Sequence, residues 1–255
     1  MGQKKDILQK NPGIFLTTLG GSWAVIPELL LWLDPEPFDL YENHPQLKKL
    51  REPLKRLPGG CVKEVWVVTT DSPTSFGGLE PLSRWLQAWK PDAPELREFR
   101  FTGSDLDSAA DVRSFRELVF RTVLLARKVS GTSPLWISLA GGRKTMSADT
   151  QAAASFFGCT AVLHVLMKAP PGFFPESPEG FLEPLVPEYA EKVLPLVSER
   201  CPPRNRLSAG LVPEEFPVPQ AGFNNSLLDE IETRLRDSAN LFSNYRSELL
   251  DASGN

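Results

Sequence analysis

The chain has 255 residues, of which 41% are hydrophobic and 24% are charged, as is typical of a globular protein. This length suits one full α/β domain with an appendage, or two small domains. The net charge of −4 argues against a general nucleic-acid coat, so no long nucleic acid is expected as a partner, but a local basic pocket remains possible.

Targeting and redox signals are absent from the sequence. The three cysteines, Cys61, Cys159 and Cys201, are far apart and none belongs to a C-x-x-C pair. Neither a disulfide framework nor a zinc site is expected, and a reducing compartment fits. The first residues lack the apolar segment of a signal peptide, and the longest apolar run, 25–33, is too short to span a bilayer. We therefore expect a cytoplasmic protein with no membrane contact.

The first predicted element is a buried strand at 13–19, and the next is a helix at 24–33. A turn with two glycines, Gly20-Gly21-Ser22-Trp23, joins them. Ser22 is interpreted either as an ordinary helix cap or as a ligand contact. Trp23 is interpreted either as a core residue or as a ring that stacks on a base.

Strands and helices continue to alternate through the middle of the chain. The polar residues 69–72 are best explained as a turn, and His164 as a core histidine in the last strand. The predicted elements are a short helix at 45–57, a strand at 62–70, a helix at 78–90, an edge strand at 96–101, a helix at 109–129, a strand at 135–139, a helix at 148–157 and a strand at 160–167.

A second glycine turn lies between the last two strands, and it is the central feature of the sequence. It contains Gly141-Gly142, Arg143-Lys144 and Thr145. The amino end of a helix attracts anions, and glycines let a phosphate approach the backbone closely. A P-loop is excluded because Arg143 rather than Gly precedes Lys144, and no G-x-G-x-x-G pattern is present. The alternative is an ordinary turn with a solvated basic corner.

The alternation of strands and helices predicts an α/β fold: a doubly wound, mostly parallel Rossmann-like sheet. Both glycine turns then lie at the carboxyl edge of that sheet, where α/β proteins bind ligands, and this favours a ligand that carries phosphate. We assign 13–170 to this domain. Residues 171–255 are predicted to form a proline-rich C-terminal arm and a terminal helix at 225–250, which is either a dimer element or a linker.

The two turns together resemble those of the CRISPR-associated Rossmann-fold (CARF) proteins. The resemblance rests on Thr17-Thr18-Leu19-Gly20, on Gly141-Gly142-Arg143-Lys144-Thr145-Met146 and on the segment beginning at His164, and it covers about residues 13–175. It implies a homodimer that binds a cyclic oligoadenylate across its two-fold axis. It also implies the ring-nuclease branch, because the chain lacks the Arg-x4–6-His motif of fused RNase domains.

The resemblance implies a set of site residues. Lys144, Ser22 and Trp23 are assigned to catalysis, without a metal or cofactor. Ligand binding is assigned to eight further residues: Thr18, Gly20, Gly21, Ser138, Gly141, Gly142, Arg143 and Thr145.

Three functions stay open at this stage. The first is a ring nuclease that cuts cyclic tetra-adenylate slowly, since His44 and His164 are not placed as an acid–base pair. The second is a sensor that binds the ring and signals through the C-terminal helix. The third is an unrelated nucleotide-binding protein with no affinity for the ring.

Overall fold

The computed structural model describes residues 12–36, 38–59, 61–89, 93–103, 105–168, 177–200, 205–218 and 225–252. Its strands are β1 (Gly13–Leu19), β2 (Val62–Thr70), β3 (Glu95–Phe101), β4 (Leu135–Ser138), β5 (Ala161–Met167) and β6 (Val193–Arg200). Its helices are α1 (Val25–Leu33), α2 (Leu47–Arg51), α3 (Pro73–Ala88), α4 (Ala109–Ser130), α5 (Lys144–Phe157), α6 (Pro187–Ala190) and α7 (Leu227–Ala252). Short 3-10 helices span Glu52–Arg56, Pro178–Phe181 and Arg206–Ser208.

The strands form one sheet in the order β3-β2-β1-β4-β5-β6. The first five strands of the chain are parallel, and β6 runs antiparallel to β5. The chain winds outward from β1 to β3 and then returns to place β4 beside β1. The direction of winding therefore reverses between β1 and β4, which is the point where open α/β sheets bind ligands at their carboxyl edge.

Helices cover both faces of the sheet. Phe15 and Leu19 of β1 pack with α1 and α3 on one face, while Ile14 and Leu16 pack with α4 and α5 on the other. Every residue of β1 is buried, which explains its nearly continuous apolar sequence. The predicted fold class, a doubly wound and mostly parallel sheet, is confirmed, and β3 is an edge strand as expected.

Two helices begin earlier than the sequence predicted. Helix α3 begins at Pro73 rather than 78, because the Ser72 hydroxyl accepts a hydrogen bond from the Ser75 amide at 3.1 Å and a proline is suited to the first helical position. Helix α5 begins at Lys144 rather than 148. Both earlier starts bring helix amino ends to the carboxyl edge of the sheet.

The C-terminal region contains a strand that the sequence did not predict. Strand β6 includes Pro195, which an edge strand tolerates because, among the described residues, only β5 pairs with it. The division of the chain at residue 170 stays a prediction, and residues 169–176 of the proline-rich segment lie outside the described residues. The terminal helix is α7, whose Leu227, Leu228 and Ile231 are buried against the second face.

Three smaller expectations concern cysteines, membranes and His164. Cys61 is a free thiol, and Cys201 lies outside the described residues. Among the described helices, none combines the length and apolar character that crossing a membrane requires. His164 lies within β5 and is partly exposed, with its Nδ1 atom buried and unpaired among the described residues.

Candidate functional site

The two glycine turns touch each other at the carboxyl edge. A Cβ atom built on Gly20 would lie 3.2 Å from the Cα atom of Gly142, which is tighter than ordinary packing. Gly141 and Gly142 have φ angles of 146° and 67°, and a Cβ on Gly141 would clash with the carbonyl oxygen of Thr18. Glycine is therefore required at these positions both for the backbone conformation and for the close approach.

The buried hydroxyl groups of Thr18 and Ser138 hold the second turn in place. The Thr18 hydroxyl donates to the Gly141 carbonyl oxygen at 3.2 Å and so links the two turns directly. The Ser138 hydroxyl accepts a hydrogen bond from the Ala140 amide at 3.0 Å. Both side chains are fully buried. The sequence assigned these two residues to ligand binding. Their burial supports a structural role instead, in which they hold the turns in shape.

The amino end of α5 is open. Arg143 occupies the N-cap position in an extended conformation, and its own amide donates to the Met146 thioether sulfur at 3.4 Å, while no side-chain oxygen of the described residues caps the helix. The first amide groups of a helix have no partner within the helix, so this end presents N–H groups and a partial positive charge to an anion. Lys144 and Thr145 are exposed on the first turn, and Lys144 forms no ion pair with the described residues.

Ser22 and Trp23 differ in their surroundings. Ser22 is exposed on the first turn, on the same edge as the second turn. The Trp23 ring is only 7% exposed and packs edge-on against Phe181, with ring centroids 5.3 Å apart. The structure therefore favours the core interpretation of Trp23 that the sequence left open, and it does not present this ring to a base.

Two further segments reach the turns, and the sequence did not identify either. Asp105, in the loop between β3 and α4, forms a hydrogen-bonded ion pair with Arg143. The beginning of α3 lies against the first turn, because Cβ atoms on Gly21 and Gly78 would meet Thr74 and the Gly20 carbonyl oxygen. The Ser-Pro pair at 72–73 is a helix-start signal that could have identified α3, whereas nothing local indicates the Asp105 contact.

An acidic residue lies further along α5. Asp149 is 2% exposed, and one of its oxygens accepts a hydrogen bond from the Arg116 guanidinium at 2.6 Å. Burial raises the pKa of Asp149, and the nearby Arg116 opposes that rise. The ion pair with Asp149 keeps the Arg116 guanidinium at α5. Arg143 and Lys144 are therefore the exposed basic side chains of the glycine turns.

The fold and these turns define a Rossmann-like α/β protein with an anion-attracting site at the switch point of its sheet. A family model described as CRISPR-associated protein NE0113 (Cas_NE0113) matches residues 59–189, about half of the chain. The chain belongs to this CRISPR-associated family. The matched range includes the second glycine turn, and the first turn precedes it.

Among solved structures, one similar chain is described as Enterococcus italicus Csm6 bound to cyclic hexa-2′-fluoro-hexa-dAMP. The TM-score is 0.36 and the sequence identity is 8%, which is too distant a similarity to support an argument about the site. The alignment covers 62% of this chain and 34% of the Csm6 chain, so it spans about a third of that protein. A search of curated proteins found no match.

Proposed function

We propose that two copies of this chain bind a cyclic oligoadenylate, with cyclic tetra-adenylate as the first candidate, and cleave it slowly without a metal ion. The observation that carries the proposal is the contact between the two glycine turns beside the open amino end of α5 and the exposed Lys144. Membership of a CRISPR-associated family supports a role in CRISPR signalling. The resemblance of both turns to CARF proteins supports the class of ligand.

A second copy is part of the proposal because a cyclic oligoadenylate with two-fold symmetry presents two equivalent halves. One copy supplies one pair of turns, and a symmetric partner supplies the other. Leu166 and Met167, at the carboxyl end of β5, are 43% and 45% exposed. These apolar side chains lie at the same edge of the sheet as the turns and offer a surface for the second copy.

The proposed reaction uses the ribose of the ligand as the nucleophile. The 2′-oxygen attacks the adjacent phosphorus and loses its proton, while the bond from phosphorus to the 5′-oxygen breaks and that oxygen gains a proton. The products are a linear oligoadenylate with a 2′,3′-cyclic phosphate and a 5′-hydroxyl. Lys144 and the first amides of α5 stabilise the charge that develops on the phosphorane, and Ser22 holds the ribose in line.

Slow turnover follows from the residues at the turns. Neither His44 nor His164 belongs to them, so proton transfer lacks the roughly 10²–10⁴-fold contribution of a dedicated acid or base. The same property favours the second candidate, a sensor that binds the ring without cutting it and signals through α7. Both candidates share one binding site and differ in whether product forms.

The test is incubation of the purified protein with cyclic tetra-adenylate in EDTA, followed by chromatography and mass spectrometry. We expect linear products that end in a 2′,3′-cyclic phosphate. Lys144→Ala should reduce cleavage at least a hundredfold, in line with the loss of one preorganised charge stabiliser. Tight binding with an intact ring after hours at stoichiometric protein would support the sensor, and absence of binding would reject both candidates.

A matched control is Lys63→Ala. Lys63 is an exposed lysine near the amino end of β2, at the opposite edge of the sheet from the turns. Its removal changes the net charge as much as Lys144→Ala does, and it should leave cleavage unchanged. An equal effect of the two substitutions would mean that Lys144 acts through total charge rather than through contact with the ligand. Sedimentation with and without the ring tests the proposed dimer.

A further inference from the structure

A separate cleft lies between α2 and β6. Its volume is about 550 Å³, and no residue of the two glycine turns lines it. Its floor is apolar and includes Leu50, Pro53 and Pro195, while its polar lining includes His44 and several charged side chains. Lys168 directly follows β5 and Lys192 directly precedes β6. These two lining residues are joined by a hydrogen bond from the Lys168 amide to the Lys192 carbonyl oxygen at 2.9 Å.

His44 lines this cleft and carries an unused hydrogen-bond donor. The amide of Gln46 donates to the Nδ1 atom of His44 at 3.0 Å, so Nδ1 is the acceptor and the neutral ring carries its proton on Nε2. The residue is 8% exposed, and its Nε2 atom is buried and has no partner among the described residues. Burial lowers the pKa of His44, and the charge of Glu191 opposes this, so the ring stays neutral near pH 7.

A buried N–H group without an acceptor costs free energy, and natural structures satisfy almost all such groups. The Nε2–H of His44 is therefore a candidate donor for an acceptor group that binds at the cleft. Backbone contacts on the other side of the ring fix its orientation, since Nδ1 is held by the Gln46 amide. The donor is thus preorganised for a ligand.

The charges around His44 specify the kind of acceptor. Lys49, Lys168 and Lys192 line the cleft together with one carboxylate, Glu191. Glu191 pairs with Lys192 at 2.5 Å, whereas Lys49 and Lys168 form no ion pair with the described residues. Three positive groups and one negative group leave an excess of two positive charges, which matches a phosphate monoester near neutral pH.

We propose that this cleft binds a small phosphate monoester, with the phosphate held by Lys49, Lys168 and the Nε2–H of His44 and the organic part resting on the apolar floor. The site is separate from the glycine turns.

The experiment follows the two histidines of the chain by NMR in protein labelled with ¹⁵N-histidine, with His164→Gln used for assignment. Phenyl phosphate is the probe. We expect it to shift the His44 Nε2–H resonance in a saturable way and to leave the His164 signal in place. Inorganic phosphate should bind at least fivefold more weakly because it lacks the apolar part, and benzoate should also bind more weakly because its charge is smaller.

Variants locate the binding. Lys49→Ala and Lys168→Ala change exposed side chains and should each weaken phenyl phosphate binding about fivefold or more, while Lys63→Ala should not. These variants leave His44 in place, because it is buried and its replacement would also change packing. A His44 signal that does not respond to phenyl phosphate would overturn the proposal. So would unchanged affinity in both lysine variants, equal affinity for benzoate, or loss of binding in Lys144→Ala alone.

Discussion

At the scale of single residues, the contact between Arg143 and Asp105 sets the charge that the second glycine turn shows to a ligand. The two side chains are partly exposed, at 55% and 30%, and the pair links the β3–α4 loop to the amino end of α5. A carboxylate in this position competes with an anionic ligand for the same guanidinium. Exposed ion pairs contribute about 0–1 kcal/mol, so the competition is modest.

Asp105→Asn should therefore strengthen binding of cyclic tetra-adenylate about twofold to fivefold, as the loss of an interaction worth up to about 1 kcal/mol implies. Isothermal titration calorimetry at low salt checks this, and the gain should shrink at high salt. Asp107→Asn is the matched control, because Asp107 is an exposed carboxylate two positions further along the same loop. Weaker binding in Asp105→Asn would show that this carboxylate positions Arg143 rather than competing for it.

The same residues show what a sequence can and cannot reveal at this scale. The glycine pairs at 20–21 and 141–142 were predictable as turns after buried strands, and at 141–142 the positive φ angles and the close contacts require glycine. The Asp105 contact and the burial of Trp23 against Phe181 were not predictable, since each joins residues that are far apart in the chain. Such contacts depend on which elements the sheet order brings together.

At the scale of elements, Glu117 of α4 holds the beginning of α7. This carboxylate is 3% exposed and accepts hydrogen bonds from the Leu227 amide at 2.5 Å, the Leu228 amide at 2.9 Å and the Ser226 hydroxyl at 3.1 Å. It also pairs with the buried Arg121 at 2.7 Å. A negative charge at a helix amino end is favourable, and here it satisfies amide groups that the helix itself leaves open.

Glu117→Ala should destabilise the protein by about 3–5 kcal/mol, because it removes a buried carboxylate that pairs with Arg121 and accepts from two amides of α7. Urea unfolding measures that loss, and hydrogen exchange should show lower protection in residues 225–239. Glu232→Ala is the control, since Glu232 of α7 forms an exposed pair with Arg113 of α4 and its loss should cost less than about 1 kcal/mol. Similar effects of the two substitutions would contradict the assigned role of Glu117.

Strand β6, which the sequence did not predict, and the early start of α3, which it missed, share a physical cause. Strand β6 contains a proline and pairs only on one side, so its formation depends on β5 being present beside it. Helix α3 contains Gly77, Gly78 and Pro81, which lower its intrinsic propensity, yet packing against β1 stabilises it. Tertiary context decides both features, whereas the apolar runs of β1 and β2 and the apolar face of α4 were strong enough to predict locally.

At the scale of the whole molecule, a buried carboxyl group links stability to pH. Glu28 of α1 is fully buried, and neither of its carboxyl oxygens has a hydrogen-bond partner among the described residues. The nearby Tyr41 hydroxyl donates to the Glu28 main-chain oxygen rather than to its side chain. Burial raises the pKa of Glu28 from 4.5 to about 8. Between these two values the folded protein holds a proton that the unfolded chain releases.

The contribution of Glu28 to folding stability should therefore be greatest below pH 4.5 and should fall as the pH rises towards 8. The expected slope is about 1.4 kcal/mol per pH unit for one proton. Glu28→Gln keeps the side-chain volume and removes the titration. Between pH 5 and 7, the free energy of unfolding of the variant should therefore rise relative to that of the natural protein by this amount for each pH unit. Urea unfolding at several pH values measures the difference, with the exposed Glu80→Gln on α3 as the control. If the curves for Glu28→Gln and the natural protein run parallel across this range, Glu28 is already ionised in the folded state and water reaches it.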